Sequence, residues 1–145
     1  MKIAFSFAGR FGDILWSCPS IRAVAETFDQ PVTVVLSPKY GSLADLLRLQ
    51  PYIAEVVIDP DWAIREEAPM QPRTPPTPIE ADLVIHGSYE GWPTQPLPYE
   101  IWNSVARQVS AFSARHRNHG FPALELGRPW LVPQDPDFYS TDVVY

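Results

Sequence analysis

Short apolar runs alternate with helical stripes along the first sixty residues. Residues 2–8 (KIAFSFA), 31–37 (PVTVVLS) and 54–59 (AEVVID) are short and rich in apolar or β-branched residues, which is typical of buried strands. Between them, apolar positions recur at helical spacing, first from Asp13 onward and then over residues 39–50. The order strand, helix, strand, helix, strand predicts a βαβαβ unit with a parallel sheet and right-handed crossovers.

The two predicted helices have recognisable apolar stripes. The first stripe consists of Ile14, Cys18, Ile21, Ala25 and Phe28, and the second of Leu43, Leu46, Leu47 and Leu49. Pro19 interrupts the first, so we expect that helix to kink there or to begin its regular part near Pro19. Pro51 ends the second helix.

The second half of the chain adds one strand and one helix. Residues 81–87 (ADLVIHG) predict a fourth strand, and residues 98–112 predict a helix with a face of Ile101, Val105, Val109 and Phe112. Five prolines within residues 69–78 predict a loop over 60–80. The regular pattern fades afterwards. We therefore predict an α/β fold, a Rossmann-like parallel sheet flanked by helices, over residues 1–128, followed by a linker or the start of a second domain over 129–145.

The composition of the chain limits the classes of partner and the compartment that we expect. The chain carries 11 Lys and Arg against 17 Asp and Glu, a net charge of −6, which disfavours nucleic acid because phosphate binding relies on surplus cations. A single cysteine, Cys18, forms no intramolecular disulfide and favours a reducing compartment, the cytoplasm; a peripheral position at the inner face of a membrane stays open. No run approaches about 20 uninterrupted apolar residues, so no transmembrane segment is predicted.

The loop AGRFGD after the first strand is the first candidate site, because ligands bind at the carboxyl ends of the strands in open α/β sheets. Gly9 and Gly12 permit unusual torsions and close backbone approach. Asp13 has three interpretations: a helix N-cap, part of a dinucleotide fingerprint, or a base that accepts a proton from a bound hydroxyl. The fingerprint is weak, because the spacing is G-x-x-G rather than G-x-G-x-x-G.

The ordered set of motifs resembles the N-terminal half of glycosyltransferase family nine, the heptosyltransferase-like family. Its helix signature matches at Gly12-Asp13, Pro19, Ile21-Arg22-Ala23 and Phe28. The stretch VTVVLSPKYGSLADLLRLQPYIAEVVIDP resembles the family's second strand, Leu-rich helix and third strand. ADLVIHG resembles its fourth strand, and GRPWLVP resembles the segment before its interdomain linker.

The resemblance implies one half of a GT-B fold, the half that holds the acceptor, and an inverting transfer with Asp13 as the base. The acceptor is then a glycan or lipid-linked sugar, and the nucleotide-sugar donor is a co-substrate; no cofactor and no metal are implied. Arg10 and the helix N-terminus are expected to hold an anionic group. Since 145 residues account for one domain, the donor domain is expected on a further segment or a second chain, with a homodimer as one form.

Several other residues remain candidates. His86 and Ser88 are predicted to bind acceptor at the end of the fourth strand, whereas ordinary turn chemistry is favoured for Tyr89 and Glu90. Burial is the commoner fate of Trp92 and Trp102, although both suit stacking on a sugar. His116 and His119 have metal-like spacing but no third ligand nearby.

Two function classes remain open. The first is the acceptor-side domain of an inverting glycosyltransferase, which is expected to be inactive without its donor domain. The second is a non-catalytic Rossmann-like binding module that pairs with another chain. A flavodoxin-like or receiver-like protein ranks last, because the acidic cluster and the Ser/Thr-rich phosphate loop are missing.

Overall fold

The computed structural model describes residues 1–64, 73–89, 95–116 and 124–131. Its four strands form one parallel sheet in the order β3-β2-β1-β4: β1 (Ile3–Phe7), β2 (Val32–Leu36), β3 (Ile53–Ile58) and β4 (Leu83–Gly87). Helices flank this sheet: α1 (Phe11–Trp16), α2 (Cys18–Phe28), a 3-10 helix (Pro38–Leu43), α3 (Ala44–Arg48) and α4 (Leu97–His116). The predicted α/β fold with a parallel, Rossmann-like sheet is confirmed.

The burial of each strand follows from its place in the sheet. The central strands β1 and β2 are buried at every position, which explains their continuous apolar runs. The outer strand β4 alternates between buried and half-buried positions, whereas the outer strand β3 is exposed at Ala54, Glu55 and Val57. The chain forms its first three strands in neighbouring positions and then crosses back over the sheet to place β4 beside β1.

The first helix is interrupted where Pro19 predicts an irregularity. Ser17 lies between α1 and α2, and its backbone N–H and hydroxyl both donate to the carbonyl of Asp13. Pro19 falls in the first turn of α2, where its missing N–H costs nothing. The chain therefore continues as two helices, of which α1 has only six residues.

The helix predicted over residues 39–50 is wrong in its form. Pro38 begins a 3-10 helix that is kinked at Tyr40, and α3 covers only its second half. Leu47 is fully buried, but Leu49 follows the end of α3 and is 45% exposed. Leu49 is therefore not part of the core stripe.

The long helix α4 packs against α2 and the edge of the sheet. Ile101, Val105 and Val109 are buried as predicted, and Phe112 makes an edge-to-face contact with Phe28 of α2 at a centroid distance of 5.9 Å. Gln108 also closes an open strand edge. Its Oε1 accepts the backbone N–H of His86 at 2.9 Å, and its Nε2 donates to the His86 carbonyl at 2.8 Å. The side-chain amide thus replaces a neighbouring strand at this point.

The described C-terminal segment, residues 124–131, is held against α2 by Arg22. Arg22 is 6% exposed and donates from Nη2 to the carbonyl of Glu125 at 2.6 Å and from Nη1 to that of Pro129 at 2.9 Å. The Tyr52 hydroxyl donates to the Trp130 carbonyl, and the Trp130 ring lies 5.8 Å from that of Trp16. The packed region thus reaches past residue 128.

Several predictions fall on other parts of the chain. Residues 65–72 of the proline-rich loop, Glu90, Trp92, His119 and residues 132–145 lie outside the described residues. Across the described part of the chain, no helix is both long enough and apolar enough to cross a membrane.

Replacement of Arg22 tests the attachment of the C-terminal segment. Arg22→Met keeps a long apolar side chain but removes the donors to the backbone carbonyls. We expect the free energy of unfolding to fall by about 2 kcal/mol, the usual size for charged hydrogen bonds. Urea unfolding measures this loss, and hydrogen exchange should show faster exchange within residues 124–131. The control is Arg48→Met, since Arg48 is half-exposed, pairs with Asp45 and makes a single long bond of 3.4 Å to a backbone carbonyl, that of Val56. Equal effects of the two substitutions would contradict the assignment.

Candidate functional site

Asp13 lies in the first turn of α1, directly beyond the carboxyl end of β1. Its Oδ2 accepts the backbone N–H of Arg10 at 2.9 Å. Arg10 is the N-cap residue, with extended backbone torsions. The N-cap interpretation of Asp13 is therefore wrong by three positions, although its carboxylate does satisfy a backbone donor at this helix end.

Gly9 leaves the space that the Asp13 side chain occupies. A Cβ at Gly9 would lie 2.5 Å from the Asp13 Cβ, 2.5 Å from the Phe7 Cε1 and 2.7 Å from the Asp13 Oδ2. These distances are far below van der Waals contact, so any side chain at this position displaces Asp13 or Phe7. Gly12 differs: a Cβ there meets no atom within 4 Å. Gly9 is therefore required by the packing of Asp13 and Phe7, whereas close approach of a ligand to the backbone at Gly9 and Gly12 stays a prediction.

Tyr89 lies with Asp13 and Arg10, although the sequence favours ordinary turn chemistry for it. Burial raises the pKa of the Tyr89 phenol; the charge of the Asp13 carboxylate and a hydrogen bond to it raise that pKa further, and the Arg10 guanidinium opposes them. The Tyr89 ring also lies 6.3 Å from that of Phe7. Asp13, Arg10 and Tyr89 therefore form one cluster of a carboxylate, a cation and a phenol.

His86 points to a different partner. Its Nδ1 lies 2.6 Å from the Ser6 hydroxyl, across the pair of strands in which His86 and Ser6 are direct neighbours. Burial lowers the pKa of the imidazole, which favours its neutral form. The structure thus places His86 on the sheet, hydrogen-bonded to β1, rather than in the cluster around Asp13.

Ser88 connects β4 to α4. Its hydroxyl lies 3.1 Å from that of Ser104, which is buried and also lies 3.3 Å from the Gln108 Nε2. This chain of hydrogen bonds fixes the end of β4 and so fixes the start of the turn that presents Tyr89. Of the predicted site residues, Gly9, Arg10 and Asp13 are brought together, while His86 and Ser88 support the neighbouring strand end.

Three further features concern this site: the N-terminus of α1, the ring of Phe11 and the possible metal ligands. At the predicted anion site, α1 has only six residues and the Arg10 N–H already donates to the Asp13 carboxylate; binding of an anion there stays a prediction. Phe11 is 44% exposed beside Asp13 and packs edge-to-face on Tyr40 at 4.9 Å. Among the described residues, no three His, Cys, Asp or Glu side chains converge as metal ligands do.

Cys18 has no reactive character. Burial raises the pKa of its thiol to about 12, and its Sγ lies 3.7 Å from the Ile14 carbonyl. A thiol in this state is protonated at neutral pH and is a poor nucleophile. Cys18 is therefore a core residue of α2, as its apolar position predicts.

The cluster around Asp13 can accept a proton from a ligand hydroxyl. It combines the partly exposed Asp13 carboxylate, the Tyr89 phenol whose pKa that carboxylate helps to raise, and the exposed ring of Phe11. Comparison of the chain with protein-family models, with curated proteins and with solved structures finds no match.

The two glycines give a matched test of the site geometry. Gly9→Ala introduces a methyl group into the space of the Asp13 side chain, and we expect a loss of about 1–3 kcal/mol in the free energy of unfolding from overpacking. Gly12→Ala places its methyl group in open space, and we expect stability that is unchanged or raised by up to about 1 kcal/mol. Urea unfolding of both variants measures the difference. A well-tolerated Gly9→Ala would contradict the described position of Asp13.

Proposed function

We propose that this chain is the acceptor-side domain of an inverting, nucleotide-sugar-dependent glycosyltransferase similar to the heptosyltransferase-like family. The observation that supports this most directly is the position of Asp13. Its carboxylate lies beyond the carboxyl end of a central parallel strand, where ligands bind in open α/β sheets. Gly9 makes room for it, and its charge contributes to raising the pKa of the Tyr89 phenol.

In the proposed reaction, the acceptor hydroxyl attacks the anomeric carbon of the donor sugar. Asp13 takes the hydroxyl proton as the new carbon–oxygen bond forms. The bond from the anomeric carbon to the nucleotide phosphate breaks, and the nucleotide leaves with the bonding electrons. Attack opposite the leaving group in one step inverts the configuration at that carbon. Tyr89 is proposed to orient the Asp13 carboxylate through its hydrogen bond.

The donor is proposed to bind to a second domain of similar size, on a further segment or on another chain, including a second copy of this one. Two such domains facing each other would place the donor sugar opposite Asp13. No step of the proposed chemistry needs a metal ion or a cofactor.

A second function has its own support. The Asp13 carboxylate also has a structural use, because it accepts the Arg10 N–H at the start of α1. This is equally expected of a non-catalytic Rossmann-like module that binds a sugar or a partner chain. The two functions differ in whether Asp13 is needed for chemistry.

The test is sugar transfer by the native protein, isolated from its source with any chain that accompanies it. A panel of nucleotide sugars serves as donors, and release of the nucleotide reports turnover. Asp13→Asn keeps an oxygen that accepts the Arg10 N–H but removes the basic carboxylate. We expect turnover to fall by about 100-fold or more, the size usual for loss of a general base, with little change in stability.

The control is Asp45→Asn, because the Asp45 side chain is 98% exposed on α3. Its turnover should equal that of the unchanged protein. Full turnover by the Asp13→Asn variant would contradict the base assignment. The absence of nucleotide release with every donor would favour the binding module.

A further inference from the structure

A groove of about 620 Å³ opens beside the Asp13 cluster, along the outer side of α4. Tyr89 forms its wall at the sheet end. Side chains from successive turns of α4 continue the wall, among them Glu100, Trp102, Asn103, Ser104 and Arg107. The volume is within the range of small-molecule sites in proteins.

The lining has the chemistry of a carbohydrate site. Trp102 is half-buried and Tyr89 stands at the sheet end, and flat aromatic rings suit the apolar faces of sugar rings. Asn103 supplies both a donor and an acceptor, which match the alternating donors and acceptors of a polyol. The Ser104 hydroxyl is buried and already hydrogen-bonded to Ser88, so polar recognition is assigned to Asn103.

The charges of the lining favour an uncharged ligand. Glu100 and Arg107 contribute one negative and one positive side chain, so the charged groups named above cancel. The chain as a whole carries a net charge of −6, which opposes an anionic ligand. In the adjoining cluster, Arg10 and Asp13 act on the Tyr89 phenol with opposite charges. The Asp13 carboxylate therefore already balances part of the Arg10 charge.

Tyr89 belongs both to the groove and to the cluster. Its side chain lines the groove, and the charge of the Asp13 carboxylate contributes to raising the pKa of its phenol. A saccharide in the groove would therefore extend to within reach of the Asp13 carboxylate at the Tyr89 end. This continuity relates the groove to the proposed chemistry.

We propose that the groove between Tyr89 and α4 binds an uncharged saccharide portion of the acceptor. The proposal rests on the proposed function for the role of that saccharide as acceptor, but the binding itself can be measured without turnover. It assigns recognition of the acceptor to Trp102 and Asn103, two residues outside the loop of Asp13.

The test is a titration of the ¹⁵N-labelled full chain, followed by its amide and indole NMR signals. The neutral probes are maltose, lactose and cellobiose, and the anionic probe is glucose 1-phosphate. We expect at least one neutral disaccharide to shift the Trp102 indole signal and the Asn103 amide signal with a common dissociation constant. The phosphate should bind at least about tenfold more weakly, a difference of 1.4 kcal/mol.

Two variants locate the site. Trp102→Ala should weaken disaccharide binding by about tenfold, in line with the loss of an aromatic contact, and Asn103→Ala, at an exposed position, should weaken it without unfolding the chain. Trp16→Ala is the matched control, because Trp16 is 42% exposed and packs on Trp130 instead; its binding should not change. No shift with any neutral probe, tighter binding of the phosphate, or full binding by both groove variants would overturn the proposal.

The outcome is separable from that of the proposed function. Asp13→Asn should still bind the disaccharide, because Trp102 and Asn103, to which recognition is assigned, remain in place. Saccharide binding together with full turnover by Asp13→Asn would refute the base and leave the groove standing. Loss of turnover in Asp13→Asn without any saccharide binding would refute the groove alone.

Discussion

The pairing of β1 with β4 is the constraint on which the candidate site depends. The two strands run in parallel with Phe7 opposite Gly87, so the residues directly after each strand leave the sheet side by side. Gly87 permits this arrangement, because a Cβ there would lie 2.6 Å from ring atoms of both Phe5 and Phe7. The close pairing of aromatic rings with a glycine brings Tyr89 beside Asp13, although the two are far apart in the sequence.

The end of the short helix α1 also helps to hold Asp13 in position for the proposed proton transfer. Ser17 ends the helix by donating twice to the Asp13 carbonyl, and α2 then continues in a separate segment. Asp13 is thereby held at both its backbone and its side chain, next to Gly9. A carboxylate fixed in this way needs little reorganisation when a proton is transferred to it, which is a general advantage for a catalytic group.

Much of the fold could be predicted from local patterns, because strands and long helices are encoded by residues near in sequence. The continuous apolar runs indicated β1 and β2, and the period of Ile101, Val105 and Val109 indicated α4. The order of the strands is not a local property, and the role of Tyr89 depends on it. Arg22 likewise reads as a charged helix residue, yet it is buried by a segment about a hundred residues away. The helix predicted over residues 39–50 is shorter in the structure, because the chain begins there as a 3-10 helix kinked at Tyr40 and α3 spans only Ala44–Arg48.

The titration of Tyr89 tests directly whether Asp13 and Tyr89 form one site, because its phenol reports the charge of the Asp13 carboxylate. Labelling the tyrosine Cζ atoms with ¹³C allows each phenol to be followed by NMR, and Tyr89→Phe identifies the signal of Tyr89. Burial and the Asp13 charge both raise the pKa of this phenol, so Asp13→Asn should lower it while the pKa values of the other tyrosines stay unchanged. An identical Tyr89 pKa in the two proteins would mean that the Asp13 carboxylate and the Tyr89 phenol do not share a site, which would contradict the cluster of Asp13, Arg10 and Tyr89.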